Sequence, residues 1–432
     1  MSSSVQTLRR LKRFESRNIT FVDHDGSWPI VWERAGGAYV WDASGNRYLD
    51  LGAAFGVAAA GHANPRVVRA GQRQMATLLH VMGDVHPHAL KAALARELSR
   101  TTFERWPAAH CTHGKVIFGS SGFEAVEAAL KTAILATGKS GVLAFDGAYH
   151  GLGYGALTTT HREHFRSPFR RQLREFARFA EFPEHEANLS VVAEQIEQIF
   201  KRHSIGAILV EPIQGRAGIR IPPAGFLPML RRLCDQNGVL LILDEIFTGF
   251  GRTGRWFACE HSQTVPDLIC LGKALTGGFP LSACVGRAEV MDAAWPPATG
   301  EAIHTSTFLG HPVGCAMALA QITEIRSQRL AARSARLGSH ALGWLAEIAQ
   351  KDPQRCQARG IGLMLGLELR NRAGEPDTER ALRIVKAMLQ RGFILLPEGR
   401  HSNVISITPP LMIPQAELRR GMAALGQLTG RL

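Results

Sequence analysis

Lys273 stands out among the nine lysines of this chain because of the apolar sequence around it. It lies in the segment LICLGKALTGGFPLSACVG, which has no other charged residue between Asp267 and Arg287. Desolvation disfavours the charged ammonium, so a lysine in such surroundings loses its proton more easily. The neutral amine is the form that makes a Schiff base with a carbonyl. The segment therefore predicts a nucleophilic lysine; the alternative is a lysine that extends from a turn into solvent.

Two other groups of residues that could take part in chemistry follow apolar runs that are typical of buried strands. Asp244 and Glu245 come directly after VLLIL (239–243), so one of their carboxylates is expected in a desolvated position, where it needs a cation. The alternative is a helix cap or a salt bridge.

Gly119-Ser120-Ser121-Gly122 follows the strand predicted at 115–118 and precedes a helix, which makes an anion site of its amides. A plain helix cap with Glu124 is the alternative for that turn. Because ligands of α/β sheets bind beyond the carboxyl ends of the strands, the three groups are expected to meet. A lysine for an aldehyde, an acid for a pyridine nitrogen and a turn for a phosphate together indicate pyridoxal 5′-phosphate.

The elements that position these groups follow a regular alternation along the chain. Continuous apolar strands alternate with amphipathic helices, which predicts an α/β fold with a mainly parallel sheet of the seven-stranded type between helices. We expect a large cofactor-binding domain over residues 76–325 and a smaller α+β domain from both chain ends, residues 1–75 and 326–432. A helical stretch of about forty residues from His311 is expected to break near Leu337 and Gly338.

The composition excludes several classes of protein. The chain of 432 residues has 45% hydrophobic and 20% charged residues, which is ordinary for a folded globular protein, and no apolar stretch is long enough to span a bilayer. Its seven cysteines form no C-x-x-C pair, which favours reduced thiols in the cytoplasm over disulfides or a metal site. The net charge of +13 allows a nucleic-acid partner, but the basic run at 162–178 is interpreted as a solvated face.

Several short motifs, in their order and spacing, resemble those of the class III aminotransferases, a family of fold-type-I pyridoxal-phosphate enzymes. The matching segments are SGFEAVEAA (121–129), YHG (149–151), EPIQG (211–215), DEIFTGFGRTG (244–254), GK (272–273) and HTSTFLGHP (304–312). The resemblance implies that Lys273 carries the cofactor as a Schiff base and moves a proton at the substrate carbon. It implies that Asp244 keeps the pyridine nitrogen protonated, with Tyr149 and Ile246 on the two faces of the ring.

The resemblance also implies a phosphate site and an assembly. Ser121 and the amides of Gly122 and Phe123 would bind the cofactor phosphate. Thr307, together with Ser306, would reach the phosphate of a neighbouring subunit, which makes the enzyme a homodimer with shared active sites. Its partners are then a small amine donor and a carbonyl acceptor, with no nucleic acid and no membrane.

The chain departs from the family pattern at three positions near the expected site. Ser406 replaces an arginine that in many members binds the α-carboxylate of glutamate, Leu152 replaces the arginine of acetylornithine-type members, and Phe247 replaces a glutamine. Glu211, which pairs with the missing arginine in relatives, would be free to meet the amine or hydroxyl groups of a substrate. The alternatives for a relocated carboxylate clamp are Arg216, Arg252 and Arg400.

The function indicated by these residues is amino transfer from an amine or amino-acid donor to a ketone or aldehyde, in ping-pong order. An aminomutase of the glutamate-1-semialdehyde type, or a decarboxylating relative on the same scaffold, is the nearest alternative because both would use Lys273 and Asp244. The more distant alternatives are a basic nucleic-acid-binding protein and a family member that has become a binding module.

Overall fold

The computed structural model of the protein describes residues 3–23, 26–106 and 113–431. The elements of the first third are α1 (Ser3–Phe14), β1 (Trp32–Gly36), β2 (Tyr39–Asp42), β3 (Arg47–Asp50), α2 (Ala53–Gly56), α3 (Pro65–Thr77), α4 (Ala89–Thr101), β4 (Gly114–Gly119), α5 (Gly122–Thr137) and β5 (Gly141–Phe145). Those of the middle third are α6 (Tyr154–Thr159), α7 (Glu163–Arg166), β6 (Ala177–Ala180), α8 (Leu189–Arg202), β7 (Ile205–Val210), α9 (Phe226–Asn237), β8 (Leu240–Asp244), β9 (Leu268–Leu271), β10 (Ser282–Arg287) and α10 (Ala288–Ala294). The last third has α11 (Pro312–Ser327), α12 (Leu330–Gln350), β11 (Cys356–Ile361), β12 (Met364–Leu369), α13 (Thr378–Gln390), β13 (Phe393–Ile394), β14 (Leu396–Glu398), β15 (Val404–Ile407) and α14 (Gln415–Thr429).

A seven-stranded sheet in the order β4-β10-β9-β8-β7-β5-β6 forms the centre of the molecule. The strands from β9 to β6 pair in parallel, whereas β10 is antiparallel to both of its neighbours. The alanine-rich side of α5 packs on one face of this sheet, and α9 contributes to the core on the other. Because both faces are covered, β7 and β9 are buried along their whole length. The predicted α/β fold with a mainly parallel sheet is confirmed.

Two four-stranded sheets, β1-β2-β3-β13 and β11-β12-β15-β14, lie outside the large one. In the first, Leu49 of β3 pairs in parallel with Phe393 of β13, which joins the beginning of the chain to its end. The division into residues 1–75, 76–325 and 326–432 stays a prediction. None of the helices in the described residues is long and apolar enough to cross a membrane.

The long helical stretch after His311 breaks at a different place from the one expected. Helix α11 ends at Ser327 and α12 begins at Leu330, with Arg329 between them at a φ of 50°. Residues Leu337 and Gly338 lie inside α12, so the break predicted there is wrong. A Cβ at Gly338 would stand 2.0 Å from the carbonyl oxygen of Gly362. The glycine is explained by this close approach of a neighbouring turn and not by a helix end.

Candidate active site

A cavity of about 400 Å³ opens where β7, β8 and β9 end and α5 begins. Its lining residues are Gly122, Phe123, Tyr149, His150, Gly151, Leu152, Glu211, Ile213, Arg216, Asp244, Ile246, Phe247 and Lys273. Most of the site residues predicted from the sequence are in this set. The exceptions are Ser121, Ser306 and Thr307, which do not line the cavity. The carboxyl ends of the parallel strands thus bring together side chains that are distant along the chain.

Lys273 follows β9 and begins a short 3-10 turn, with a φ of 39° that few residues other than glycine adopt. Its Nζ lies 3.8 Å from the centroid of the Phe247 ring. Burial lowers the pKa of Lys273 to about 8, although the carboxylates of Asp244, Glu398 and Glu211 act in the opposite direction. The amine is therefore much easier to deprotonate than that of an ordinary lysine.

Asp244 is the last residue of β8 and is 5% exposed. Its Oδ2 accepts a hydrogen bond from Nδ1 of His150 at 2.8 Å, and its Oδ1 accepts one from the amide of Ile246 at 3.1 Å. The other ring nitrogen of His150, Nε2, is buried with no hydrogen-bond partner in the described part of the chain. An anchored carboxylate and an unpartnered polar atom on one cavity wall fit a polar ligand.

Glu245, the second acid of the pair, has a structural role instead. Its carboxylate is buried and accepts hydrogen bonds from the amides of Ala258 and Cys259, each at 2.8 Å, and from the hydroxyl of Thr248. Burial raises the pKa of Glu245. The two neighbouring acids thus act separately, since Asp244 lines the cavity and Glu245 fixes the loop that follows β8.

The turn before α5 forms a capping box. Oε2 of Glu124 accepts hydrogen bonds from the amides of Ser120 and Ser121, each at 2.7 Å, and from the Ser121 hydroxyl at 3.0 Å. The amides of Gly122 and Phe123 occupy the first two helical positions, where no acceptor exists within the helix. Those two amides are suited to an anion, whereas the single proton of the Ser121 hydroxyl is directed at Glu124.

An amine of lowered pKa, an anchored carboxylate and a helix N-terminus are now in one cavity, and comparison with known proteins identifies their family. Residues 21–428 match the family described as aminotransferase class-III. The chain belongs to the class III aminotransferase family. Enzymes of this family depend on pyridoxal phosphate, so the protein is a pyridoxal-phosphate-dependent aminotransferase. The residues in the cavity fit that cofactor, since an amine, a carboxylate and paired amides match its aldehyde, ring nitrogen and phosphate.

Similar proteins are aminotransferases in both sequence and structure. The chain is 37% identical to 5-aminovalerate aminotransferase DavT of Pseudomonas aeruginosa, over 92% of this chain and 93% of that protein. It is 35% identical to 4-aminobutyrate aminotransferase GabT of Escherichia coli, over 99% of this chain and 98% of that protein. An amine transaminase of an uncultivated Pseudomonas species, solved with pyridoxal phosphate bound, has a TM-score of 0.88 at 28% identity. The match covers 97% of this chain and 98% of that one. These relatives support amino transfer and give no support to the aminomutase alternative.

Glu211 of this aminotransferase lies just beyond β7 and is 7% exposed. Its Oε1 accepts a hydrogen bond from the amide of Tyr149 and its Oε2 one from the amide of Gly215, each at 3.0 Å. Burial raises the pKa of Glu211 to about 7, and nearby Asp244 adds to the effect. The carboxyl group therefore holds two cavity segments together and is protonated more easily than an ordinary glutamate.

The three arginines considered as carboxylate clamps have different surroundings. Arg252 is 1% exposed and donates to the carbonyl oxygens of Leu363 and Pro409, so it is not available to a substrate. Arg400 lines a neighbouring cavity of about 380 Å³. Arg216 alone of the three lines the active-site cavity.

Two charged residues near the aminotransferase site were not expected from the sequence. Glu398 ends β14 and is 6% exposed, with one oxygen 3.5 Å from the guanidinium of Arg216. Arg162, in the basic run interpreted as a solvated face, is close enough to Glu398, Arg216 and Tyr149 for each to affect its pKa. The signal for Glu398 was an acid directly after the apolar run FILLP, which is the same pattern that identified Asp244.

Proposed function

We propose that this aminotransferase uses Lys273 as the residue that holds the cofactor aldehyde and moves the proton at the amine-bearing carbon of the substrate. Asp244 holds the pyridine nitrogen in its protonated form, while Tyr149 and Ile246 contact the ring. Ser121 and the amides of the α5 N-terminus hold the phosphate, for which the serine proton has to turn away from Glu124. When bound, the cofactor supplies an electron-accepting ring.

The observation that carries this proposal is the lowered pKa of Lys273 in a cavity that also contains Asp244. At neutral pH, an amine with a pKa of about 8 is neutral in roughly a tenth of the molecules. An ordinary lysine, with a pKa of about 10.4, is neutral in fewer than about one molecule in a thousand. The protein environment thus supplies a nucleophilic and basic amine without a separate base.

Glu211, at the end of the neighbouring strand β7, supports the same reaction. Its carboxylate fixes the amide of Tyr149 and so positions the ring that contacts the cofactor. Each of its oxygens accepts one amide hydrogen bond and has a further lone pair, so it can also accept a hydrogen bond from a substrate amine or hydroxyl group. We propose this second contact as its role toward substrate.

A homodimer accounts for the site residues that lie away from the cavity. Ser306 and Thr307 are exposed and lie within an apolar surface made by two adjacent segments, 78–86 and 303–311. The segments contact each other, since the His80 and Phe308 rings lie 5.4 Å apart and the Thr305 hydroxyl donates to Asp84. In the proposed dimer, these residues of one chain complete the phosphate site of the other.

The proposed location is the cytoplasm, where thiols stay reduced. Six cysteines, Cys234, Cys259, Cys270, Cys284, Cys315 and Cys356, are free and buried. Cys111 lies outside the described residues.

The experiment that tests the proposed function is a half-reaction. Purified enzyme loaded with pyridoxal phosphate is mixed with a panel of amines and amino acids, and loss of the visible absorption band of the cofactor is followed. We expect some donors to remove the band and an oxo acid or aldehyde to restore it. Retention of full activity by the Lys273→Ala variant would contradict the proposal.

A further inference from the structure

Cationic side chains are scarce in the active-site cavity. Arg216 and Lys273 are the lysine and arginine residues that line it within the described chain. His150, also in the lining, directs Nδ1 at Asp244. Under the proposed function Lys273 is occupied by the cofactor, which leaves Arg216 as the cation available to a substrate.

The guanidinium of Arg216 has hydrogen-bonding capacity to spare. Its Nη1 stands 3.5 Å from Oε1 of Glu398, which is longer than a charge-assisted hydrogen bond. Its Nε is buried and has no partner in the described chain, and its side chain is 32% exposed. The guanidinium carbon lies 5.4 Å from the centroid of the Tyr149 ring, within range of a cation–π contact. Arg216 is thus held near the Tyr149 ring while N–H groups of its guanidinium still lack an acceptor.

Two guanidinium groups lie near a single carboxylate at the Arg216 side of the cavity. Arg162 and Arg216 are both near Glu398, and no other carboxylate among the described residues is paired with Arg216. Burial raises the pKa of Glu398, which weakens its ability to neutralise two guanidinium groups. An added carboxylate would balance the second positive charge and could fill the free donors of Arg216.

The cavity wall also suits a carbon chain between a reacting amine and a carboxylate. Phe123 and Leu152 line the cavity while remaining 38% and 48% exposed, and Ile213 and Phe247 add further apolar surface. Pockets of this kind, apolar with a few fixed polar groups, orient small molecules by their charged ends.

We propose that Arg216 binds the carboxylate of the substrate, so that this aminotransferase prefers amino acids and oxo acids to plain amines and ketones. Glu398 acts as a positioning residue that keeps the guanidinium at the cavity when no carboxylate is bound. The inference rests on the proposed function, because it assigns Lys273 to the cofactor and Arg216 to the substrate.

A binding measurement tests this role without turnover. Valerate and its uncharged analogue valeramide are titrated into the holoenzyme by calorimetry, using wild type, Arg216→Gln, Arg216→Lys and the control Arg400→Gln. Arg400 is a matched control because it is exposed and lines the neighbouring cavity. We expect Arg216→Gln to weaken valerate binding by roughly 10- to 100-fold, the loss of a charged hydrogen-bonded pair. The affinity of Arg216→Lys for valerate should lie between those of wild type and Arg216→Gln, and that of Arg400→Gln should match wild type.

Kinetics give the second readout. For Arg216→Gln, KM should rise for a carboxylate-bearing donor such as 5-aminovalerate and stay near the wild-type value for pentylamine. Equal binding of valerate by wild type and Arg216→Gln, or an equal loss for valeramide, would overturn the proposal. Failure of the proposed function is distinguishable, since the wild-type enzyme would then turn over neither donor.

Discussion

At the scale of single residues, the reactivity of the site depends on the Lys273 amine and on the charges that surround it. Burial favours its neutral form, while Asp244, Glu398 and Glu211 favour the ammonium. The result is a pKa of about 8, near enough to neutral pH for the amine to act as nucleophile and as base.

The first prediction concerns pH and cofactor capture. The rate at which the apoenzyme binds pyridoxal phosphate should rise with pH up to about 8 and then level off, because the neutral amine is the reacting form. An ordinary lysine would give a rate that continues to rise toward a pH of about 10.4. Stopped-flow absorbance between about pH 6 and 10 measures this, and a continued rise above pH 9 would contradict the account.

The second prediction separates two adjacent acids. Asp244→Asn should lower turnover by roughly 10²- to 10³-fold with little change in stability, because it removes the charge that, in the proposed function, would hold the pyridine nitrogen protonated. Glu245→Ala should lower the free energy of unfolding by about 2 kcal/mol or more, because two buried amides and a hydroxyl lose their acceptor.

Denaturant unfolding and steady-state kinetics distinguish the pair. If Asp244→Asn proved fully active, the assignment of that carboxylate would be wrong. The apolar run alone predicted one desolvated acid at this point, and the family resemblance assigned the cofactor role to Asp244. In the structure both acids are buried, at 5% exposed for Asp244 and 0% for Glu245.

At the level of elements, the parallel strands explain why the site residues lie close together. Lys273 and Glu211 follow β9 and β7, and Asp244 ends β8, the strand between them in the sheet. These positions could be predicted because apolar strands followed by polar residues are a local signal. Glu398 carried the same local signal, an acid directly after an apolar run, and could have been found from it. Arg162 carried none, because its place near the cavity depends on how the basic run packs, and that is not a local property.

The helix break shows the same limit. A glycine at 338 was interpreted as a helix end, yet it lies inside α12 against the turn at Gly362. Sequence alone does not distinguish a glycine required by a tight contact from one that ends a helix.

The third prediction uses two glycines of α12. Gly338→Ala should lower the free energy of unfolding by roughly 1–3 kcal/mol, because its Cβ would meet the backbone of Gly362. Gly343→Ala should raise that free energy by up to about 1 kcal/mol, because space is open there and alanine favours the helix. Thermal and denaturant unfolding measure both. Equal effects of the two changes would show that the contact at Gly338 is absent.

For the molecule as a whole, the main feature still to be explained is its exposed apolar surface. The adjacent segments 78–86 and 303–311 expose large side chains by more than a third each: Leu78, Leu79, Met82, Val85, Ile303 and Phe308. Clusters of this kind mark interaction sites more often than isolated exposed residues do. A second copy of the chain is the occupant expected from Ser306 and Thr307, which lie within the same surface.

The fourth prediction concerns this interface. The double variant Met82→Glu with Ile303→Glu should shift the protein from the proposed dimer to a monomer and lower its affinity for pyridoxal phosphate, because charge is placed in an apolar contact. The control is Val191→Glu, which places charge on the exposed side of α8. Light scattering after size exclusion measures the assembly. Dimers of unchanged stability in the double variant would place the interface elsewhere.

The central claim is that Lys273 is the lysine that holds the cofactor. Its most direct test is borohydride reduction of the holoenzyme, which fixes the cofactor covalently to its lysine, followed by digestion and peptide mass spectrometry. We expect a phosphopyridoxyl group on Lys273 and on none of the other eight lysines. A label on a different lysine, or no label after the cofactor has bound, would contradict it.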